Sequence, residues 1–213
     1  MKKVDYLLLK HSTNLKEIGF WEQLDVPEEY YNVPNNFKIL EYDKFPEVSP
    51  NLENFRLREK ANLTDCLSSF MPTPSIGFFI SKKFQGLFND FLLEGIRFYP
   101  TTIMKADGTT IDSYSFLHVV DQYHDNINYE KSVFVDFSED DEPEVDIKEE
   151  DKIFLPDCVE PRKIILKNEV DLFRCPYDTS TLVSTKLKST IEQEGITGVE
   201  FDDRVGIEFY LDE

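Results

Sequence analysis

The residues best suited to chemistry near neutral pH cluster in one stretch of the sequence, between positions 118 and 125. His118 and His124 differ by an even number of positions, so in a strand they would share a face, with Asp121 or Asp125 beside them. Imidazole and carboxylate groups are zinc ligands. One interpretation is therefore a metal-dependent enzyme that uses His118, Asp121 and His124. The other is ordinary polar surface residues, because the spacing matches no standard zinc motif.

Signals of other catalytic chemistry are missing. The sequence has no G-x-S-x-G nucleophile elbow, no phosphate loop and no dinucleotide fingerprint. Ser81 and Ser184 stand where helices begin, and there a hydroxyl accepts hydrogen bonds from first-turn amides, so we predict helix caps. Gly95 and Gly195 are predicted to end those helices, since glycine adopts positive φ without a steric penalty. We predict no catalytic residue, no metal and no cofactor.

The predicted capping serines and glycines belong to two similar strand–helix–strand units. They span residues 76–98 and 182–201, and each has an apolar strand end, a serine cap, a lysine and a Glu-Gly-Ile step at the helix end. An old duplication and the repeated use of one unit explain this similarity equally well. The pattern predicts an α+β fold, with a mixed, largely antiparallel sheet and about three helices on one face.

The remaining elements are short. Asp107-Gly108 between two β-rich segments predicts a hairpin over residues 97–116. We predict a short helix over residues 63–70 and strands over residues 4–9, 37–40, 55–57, 132–137, 152–155, 163–166, 170–174 and 205–210. The length favours a single domain, 1–213, with residues 1–70 as an irregular, proline-interrupted N-terminal portion and residues 71–213 as the core.

The charge balance limits the class of partner. The chain has 42 acidic and 23 basic residues, for a net charge of −19. Such a surface repels the phosphates of nucleic acid, so we predict no nucleic-acid partner. An excess of carboxylates favours a basic protein partner and speeds the encounter with it, although solubility alone also explains many acidic proteins.

The cysteines and the apolar segments indicate a cytoplasmic protein. Cys66, Cys158 and Cys175 form no C-x-x-C pair and no dense framework, which is typical of reduced thiols. The apolar part of the N-terminal segment is too short for a signal peptide. No stretch approaches the roughly 20 apolar residues that a membrane span needs, so we predict no membrane association.

Two groups of residues are candidates for binding a protein partner. The acidic group is Glu139, Asp140, Asp141, Glu142, Glu144, Asp146, Glu149, Glu150 and Asp151, which is either a solvated loop or a surface for a basic cleft. The aromatic group is Trp21, Tyr30 and Tyr31, which either pack in the core or anchor a partner from the surface.

The second unit and its surroundings resemble a known family. The segments that carry the resemblance are Leu172-Phe173-Arg174, Leu182-Val183-Ser184, Lys186-Leu187 and Gly195-Ile196-Thr197-Gly198-Val199-Glu200-Phe201, with an earlier block from Phe79 through Pro100 to Tyr114. Together they resemble a bacterial immunity-protein family, number eleven among the immunity families of polymorphic-toxin systems. The resemblance covers roughly the last two thirds of the chain.

The resemblance implies an inhibitor and not an enzyme. Such a protein binds one cognate toxin domain and neutralises it by occlusion. A basic active site on that toxin is our inference from the charge of this chain. The two alternatives are the metal-dependent enzyme described above and a protein-interaction scaffold with no inhibitory role.

Overall fold

The described residues form three β-sheets, with short helices between some of the strands. The computed structural model describes residues 1–72, 75–121, 124–138, 140–148, 155, 157–175, 177 and 180–212, with residue 124 described by its backbone. The strands are β1 Lys2–Val4, β2 Tyr6–His11, β3 Leu24–Asp25, β4 Phe55–Leu57, β5 Cys66–Leu67, β6 Gly77–Ser81, β7 Ile96–Met104, β8 Thr110–Val119, β9 Val133–Asp136, β10 Glu144–Val145, β11 Val159–Leu166, β12 Leu172–Arg174, β13 Thr181–Ser184, β14 Val199–Asp203 and β15 Glu208–Leu211. The helices are α1 Leu15–Ile18, α2 Lys82–Leu87 and α3 Thr185–Gln193, with 3-10 turns at Glu28–Asn32, Phe37–Ile39, Phe88–Asp90 and His124–Asn126.

Strand pairing is mixed but mostly antiparallel. The first sheet has the order β1-β15-β11-β9-β10, the second β12-β13-β2-β14 and the third β3-β4-β7-β8-β6-β5. Within the described residues, β11–β15 and β4–β7 are the parallel pairs, and the other ladders are antiparallel. This arrangement confirms the predicted α+β class with three helices. It differs from the prediction in dividing the strands among three sheets.

The two predicted strand–helix–strand units have the same topology. In the first, β6 leads through α2 to β7, and β8 lies antiparallel between the two strands. In the second, β13 leads through α3 to β14, and β2 occupies the middle position. A short outer strand completes each set, β5 next to β6 and β12 next to β13. The orders β7-β8-β6-β5 and β14-β2-β13-β12 therefore correspond strand for strand.

One hydrophobic core joins the two units. Phe84 and Phe88 from the α2 region pack with Leu187 and Ile191 of α3, and Leu9 of the N-terminal strand β2 belongs to the same cluster. Each of these side chains is nearly or fully buried. Burying a leucine or phenylalanine side chain stabilises a fold by about 1.5–3 kcal/mol, so this cluster is a major contribution to stability.

Two further cores lie on other faces of the sheets. Alternation along β6 directs Phe78 and Ile80 into the first core and Phe79 into a second core under the N-terminal portion. That second core also contains Tyr30, Phe37, Phe55 and Phe116, among others. The third core lies between the first and second sheets and includes Tyr6, Phe134, Phe173 and Phe209. Residues 1–70 therefore contribute to all three cores.

Several local predictions are confirmed and others are wrong. The hairpin forms as β7 and β8, and the strand at Phe55–Leu57 is present. Residues 37–40 form a 3-10 turn instead of a strand, because the Asn36 side chain caps it by accepting from the Lys38 N–H. The helix predicted over residues 63–70 is wrong, since Cys66 and Leu67 pair with β6. The strand predicted over residues 152–155 lies largely outside the described residues.

The helix ends differ between the two units. In the second unit the N–H of Gly195 bonds to Glu192 O and the N–H of Ile196 to Ile191 O, a Schellman arrangement with Gly195 at positive φ. In the first unit α2 ends at Leu87 and continues as the 3-10 turn Phe88–Asp90. The prediction that Gly95 ends this helix is wrong. Gly95 instead adopts positive φ in the loop before β7, where an added Cβ would lie 2.4 Å from the carbonyl oxygen of Val120.

Candidate functional site

The acidic segment forms the outer face of an edge hairpin. Strand β10 pairs with β9 through Glu144–Val135 and Val145–Phe134, and no further strand of the described chain follows β10 in its sheet. Glu144 and Asp146 are exposed, whereas Val145 and Ile147 turn inward and pack against the third core. We call residues 133–138 and 140–147 the acidic hairpin. Alternation along the strand thus presents carboxylates on one face and anchors them with apolar residues on the other.

One ion pair neutralises part of this hairpin. Glu142 accepts from Arg162 at 2.6 Å, and Arg162 also contacts Glu160 at 2.9 Å. Both sides of the pair are well exposed, so water screens the pair and it contributes little to stability. The remaining carboxylates that the structure describes, Asp140, Asp141, Glu144 and Asp146, have no basic group of the described chain within 4.0 Å. Glu139, Glu149, Glu150 and Asp151 lie outside the described residues.

The three candidate aromatic residues occupy different environments. Trp21 is 43% exposed in the loop after α1. Tyr30 is only 1% exposed, because its ring packs against Phe37 and Phe55 and its hydroxyl donates to the carbonyl oxygen of Asn51. The prediction of a surface anchor is therefore corrected for Tyr30, which is a core residue. Tyr31 is partly buried and packs edge-on against Phe37.

A groove adjoins Trp21 where β2 runs past the beginning of β13. Its volume is about 420 Å³. We call it the Trp21 groove. Among the described residues, ten line it, namely Leu8, Leu9, Lys10, His11, Thr13, Trp21, Ser75, Phe78, Ser180 and Thr181. Mostly apolar side chains and strand backbone form its walls, so it is suited to the apolar part of a side chain.

His11 is the buried polar residue of this groove. Its ring is only 6% exposed and stacks against Phe78 with centroids 4.8 Å apart. Burial lowers the pKa of His11 to about 4, although a hydrogen bond to the backbone of Leu67 acts in the opposite direction. Nε2 is buried and has no hydrogen-bond partner within the described chain. The imidazole is therefore neutral at pH 7, with one nitrogen unsatisfied.

Two carboxylates stand beside the segment that lines the groove. Glu200 accepts from the amide of Thr13 at 3.0 Å and from its hydroxyl at 3.2 Å. Glu17 accepts from the Ser12 hydroxyl at 2.7 Å and from the Gly198 amide at 2.9 Å. The nearby ammonium of Lys10 is paired with Asp202 at 2.5 Å, and neither Glu17 nor Glu200 forms an ion pair within the described residues.

The described part of the histidine stretch does not form an open site. His118 is fully buried, and its Nε2 donates to the carbonyl oxygen of Glu41 at 2.6 Å. Burial lowers its pKa to about 4, with smaller effects from Arg174 and Arg97. In the part of the chain that the structure describes, no three or more histidine, cysteine, aspartate and glutamate residues are grouped to hold a metal ion. The side chain of His124 lies outside that part.

The capping serines have matching partners in the two units. Ser81 Oγ accepts from the Phe84 amide and donates to Asp65 at 2.7 Å. Ser184 Oγ accepts from the Leu187 amide and donates to Asp171 at 2.6 Å. Each serine therefore has both a helix amide and a carboxylate as partners. This geometry is that of a structural cap.

Comparison with known proteins identifies the family. The model of the immunity protein family Imm11 matches residues 11–205 of the 213. The chain belongs to this family. Immunity proteins are inhibitors, so this Imm11 protein is not an enzyme. The match also takes in most of the irregular N-terminal portion and seven of the ten residues given above for the groove lining. No curated protein matches the chain.

Sequence reasoning missed several residues of the Imm11 protein's candidate surfaces. His11 and Thr181 line the Trp21 groove, although they lie far apart in the sequence. Only the pairing of β2 with β13 and β14 brings them together. An amphipathic strand with a histidine at its end was the one available signal. None of the helices in the described residues has the length and apolar character needed to span a bilayer.

Proposed function

We propose that this Imm11 protein binds one cognate toxin domain and neutralises it by covering its active site, without any bond-making of its own. The observation that carries the proposal is the family match over residues 11–205, which assigns an immunity function. No disulfide joins the three cysteines, all of which the structure describes, and this supports a cytoplasmic location, where a toxin would have to be intercepted.

The acidic hairpin is the proposed surface for electrostatic attraction. Its carboxylates are preorganised, because β10 is held in register by β9 and anchored by Val145 and Ile147. A cleft that is built for a polyanionic substrate carries basic side chains. The hairpin offers those side chains four carboxylates, Asp140, Asp141, Glu144 and Asp146, that form no ion pair within the described chain. Such complementarity mainly accelerates association and selects the partner. A nuclease or another enzyme with a basic site is the proposed target class.

The proposal is tested by co-expression and by binding. The toxin domain encoded next to this protein should stop growth when expressed alone, and co-expression of the Imm11 protein should restore it. The purified pair should form a complex that has lost toxin activity. A toxin that remains fully active with the Imm11 protein in excess would refute neutralisation, and binding without inhibition would indicate a scaffold.

A charge-matched pair of variants tests the role of the hairpin. The first variant combines D140N, D141N, E144Q and D146N. The control combines D43N, E53Q, E59Q and D112N, which are also exposed and change the net charge equally. We expect the first to slow association by about tenfold at low ionic strength and the control to have a much smaller effect. Equal effects would show that only the net charge matters.

A further inference from the structure

We propose that an extended segment of the cognate toxin, carrying basic side chains, adds to strand β14 as a further strand of the second sheet. This inference rests on the proposed function and specifies part of the contact surface. It is carried by three observations on the described residues, namely the unpaired outer edge of β14, the groove beside that edge and the acidic side chains along it.

Among the described residues, β14 is the longest strand at the end of a sheet. It has five residues, whereas the strands at the other sheet ends have two or three. An edge strand presents unpaired N–H and C=O groups to any extended chain that approaches, and proteins usually keep such edges short. The edge of β14 is therefore the described position best able to accept a further strand.

The pairing of β14 with β2 shows which backbone groups face outward. The carbonyl oxygen of Gly198 accepts from the Ser12 amide at 2.9 Å, so it points toward β2. Across a trans peptide the next N–H points the opposite way, so the Val199 amide faces away from β2. Alternation along the antiparallel ladder then directs the backbone of every second residue outward, namely that of Val199, Phe201 and Asp203.

The first unit shows that this position of the fold accommodates another strand. β7 corresponds to β14, and β4 pairs with the outer side of β7 at Ile103 and Met104. The third sheet thus continues outward from β7 through β4 and β3, whereas the second sheet stops at β14. Within the described chain, the outward backbone groups of β14 have no hydrogen-bond partner. An added strand would supply one.

A groove between α3 and β14 would hold side chains of the added strand. Its volume is about 360 Å³, and its lining includes Ile191 of α3 and Val199 and Phe201 of β14. Glu200 also lines the groove although its side chain alternates to the other face of β14, so the groove extends to the strand edge. In strand addition, main-chain hydrogen bonds supply affinity and pockets for alternate side chains supply specificity. The edge of β14 offers both.

The charge of this edge favours a basic segment. Three of the five residues of β14 are acidic and none is basic. Lys10 pairs with Asp202, whereas Glu200 and Asp203 form no ion pair within the described chain. Opposite charges on neighbouring strands stabilise their pairing, and like charges oppose it. A second copy of this chain would place two acidic strands side by side, in proteins that each have a net charge of −19. A basic segment of another protein is therefore the occupant that the edge fits.

Amide hydrogen exchange in the full-length protein tests strand addition directly. The 15N-labelled Imm11 protein is measured by NMR alone and with the purified, catalytically inactive toxin domain encoded next to it. We expect exchange at Val199, Phe201 and Asp203 to slow at least about tenfold in the complex, because their amides gain acceptors. The amides of Glu200 and Asp202 already face β2, so their exchange should change less than about threefold. These two amides are the internal control.

A matched pair of variants isolates the backbone contribution. D203P removes an outward N–H together with the carboxylate, whereas D203A removes the carboxylate alone. Proline is tolerated in an edge strand where its nitrogen faces solvent, so the ladder with β2 is kept. By calorimetry we expect D203P to bind the toxin domain about fivefold to tenfold more weakly than D203A, the effect of one lost hydrogen bond. Circular dichroism and urea midpoints verify that both variants fold.

The basic character of the occupant is tested on the toxin domain. Amide exchange in the labelled toxin domain identifies the segment that becomes protected in the complex. Replacement of the lysines and arginines of that segment by glutamine should weaken binding about tenfold.

Each outcome has one meaning. If the wild-type proteins bind and inhibition is seen, but the outward amides exchange as in the free protein or D203P binds as D203A does, strand addition is overturned and the immunity proposal stands. If the outward amides slow but the glutamine replacements have no effect, the basic assignment is wrong. If those amides are protected without toxin, in a dimer seen by light scattering, the occupant is a second copy. If the wild-type proteins do not bind at all, the proposed function itself fails.

Discussion

Asp65 and Asp171 occupy equivalent positions in the two strand–helix–strand units, and each carboxylate bridges the units. Asp65 accepts from the hydroxyl of Ser81 in the first unit and from the amide of Thr197 in the second, at 2.7 and 3.1 Å. Asp171 accepts from the hydroxyl of Ser184 in the second unit and from the amide of Leu92 in the first, at 2.6 and 3.0 Å. The bridges are reciprocal, as expected for two units related by an approximate two-fold axis.

This reciprocity predicts that both aspartates stabilise the fold, and Asp171 more strongly. Asp171 is 4% exposed, whereas Asp65 is partly exposed. When Asp65 is replaced, water can therefore hydrogen-bond to the groups that Asp65 contacted. D171A leaves the Ser184 hydroxyl and the Leu92 amide without their carboxylate partner, and we expect a loss of about 2–3 kcal/mol in the free energy of unfolding. D65A should cost about 1–2 kcal/mol. Urea denaturation measures both, and a larger loss for D65A would contradict this account.

The two glycines at φ +82° form a matched pair. A Cβ at Gly198 would lie 2.1 Å from the carbonyl oxygen of Cys66, whereas a Cβ at Gly108 would meet nothing within 4 Å. In both G198A and G108A an alanine must adopt positive φ, which lowers the free energy of unfolding by about 1 kcal/mol. G198A must also displace the backbone at Cys66, so we expect it to lower the free energy of unfolding by about 2 kcal/mol more than G108A does. Equal losses in urea denaturation would show that the contact at Cys66 relaxes freely.

The two buried histidines predict a loss of stability in weak acid. His11 and His118 have a pKa of about 4 in the folded protein against an ordinary value of 6.5. Above pH 6.5 they are neutral in both states and contribute no pH dependence. Between pH 6.5 and 4 the unfolded chain binds protons that the folded chain does not, so stability falls by up to about 1.4 kcal/mol per pH unit for each histidine.

Urea titrations of the wild type and of H11N at pH 7.5, 6.0 and 5.0 check this prediction. The carboxylates contribute equally to the pH dependence of both proteins. The difference between the free energies of unfolding of the two proteins therefore isolates the contribution of His11. We expect H11N to be less stable than the wild type at pH 7.5 and the difference to shrink by about 1 kcal/mol or more at pH 5.0. A constant difference would mean that His11 titrates normally.

The thiols should differ in reactivity. Cys66 and Cys175 are buried, and Cys158 is partly exposed. Burial also raises the pKa of the Cys66 thiol, which reduces its thiolate fraction. A disulfide reagent at pH 8 should therefore modify about one thiol rapidly in the folded protein and all three in urea, and C158S should remove the rapid phase. A rapid phase that survives in C158S would contradict the burial of the other two.

Local sequence patterns were sufficient for parts of this protein. The serine caps at Ser81 and Ser184 follow from hydroxyl chemistry at a helix start, and the β7–β8 hairpin follows from the φ requirements of Asp107-Gly108. The prediction failed at residues 63–70, where an apolar segment with helical spacing pairs instead with β6. Whether this segment forms a helix or a strand depends on its pairing with β6, which no local sequence pattern indicates.

The sequence alone determined the α+β class, the two capped units and the strong negative charge, because propensities, capping and ionisation are properties of neighbouring residues. Tertiary structure decided that β2, at the start of the chain, completes the unit formed near its end. It also decided that Trp21 and His11 line one groove and that His118 and Tyr30 are core residues. Those outcomes depend on long-range strand pairing, whose partners are specified by the packing of whole faces and not by spacing along the chain.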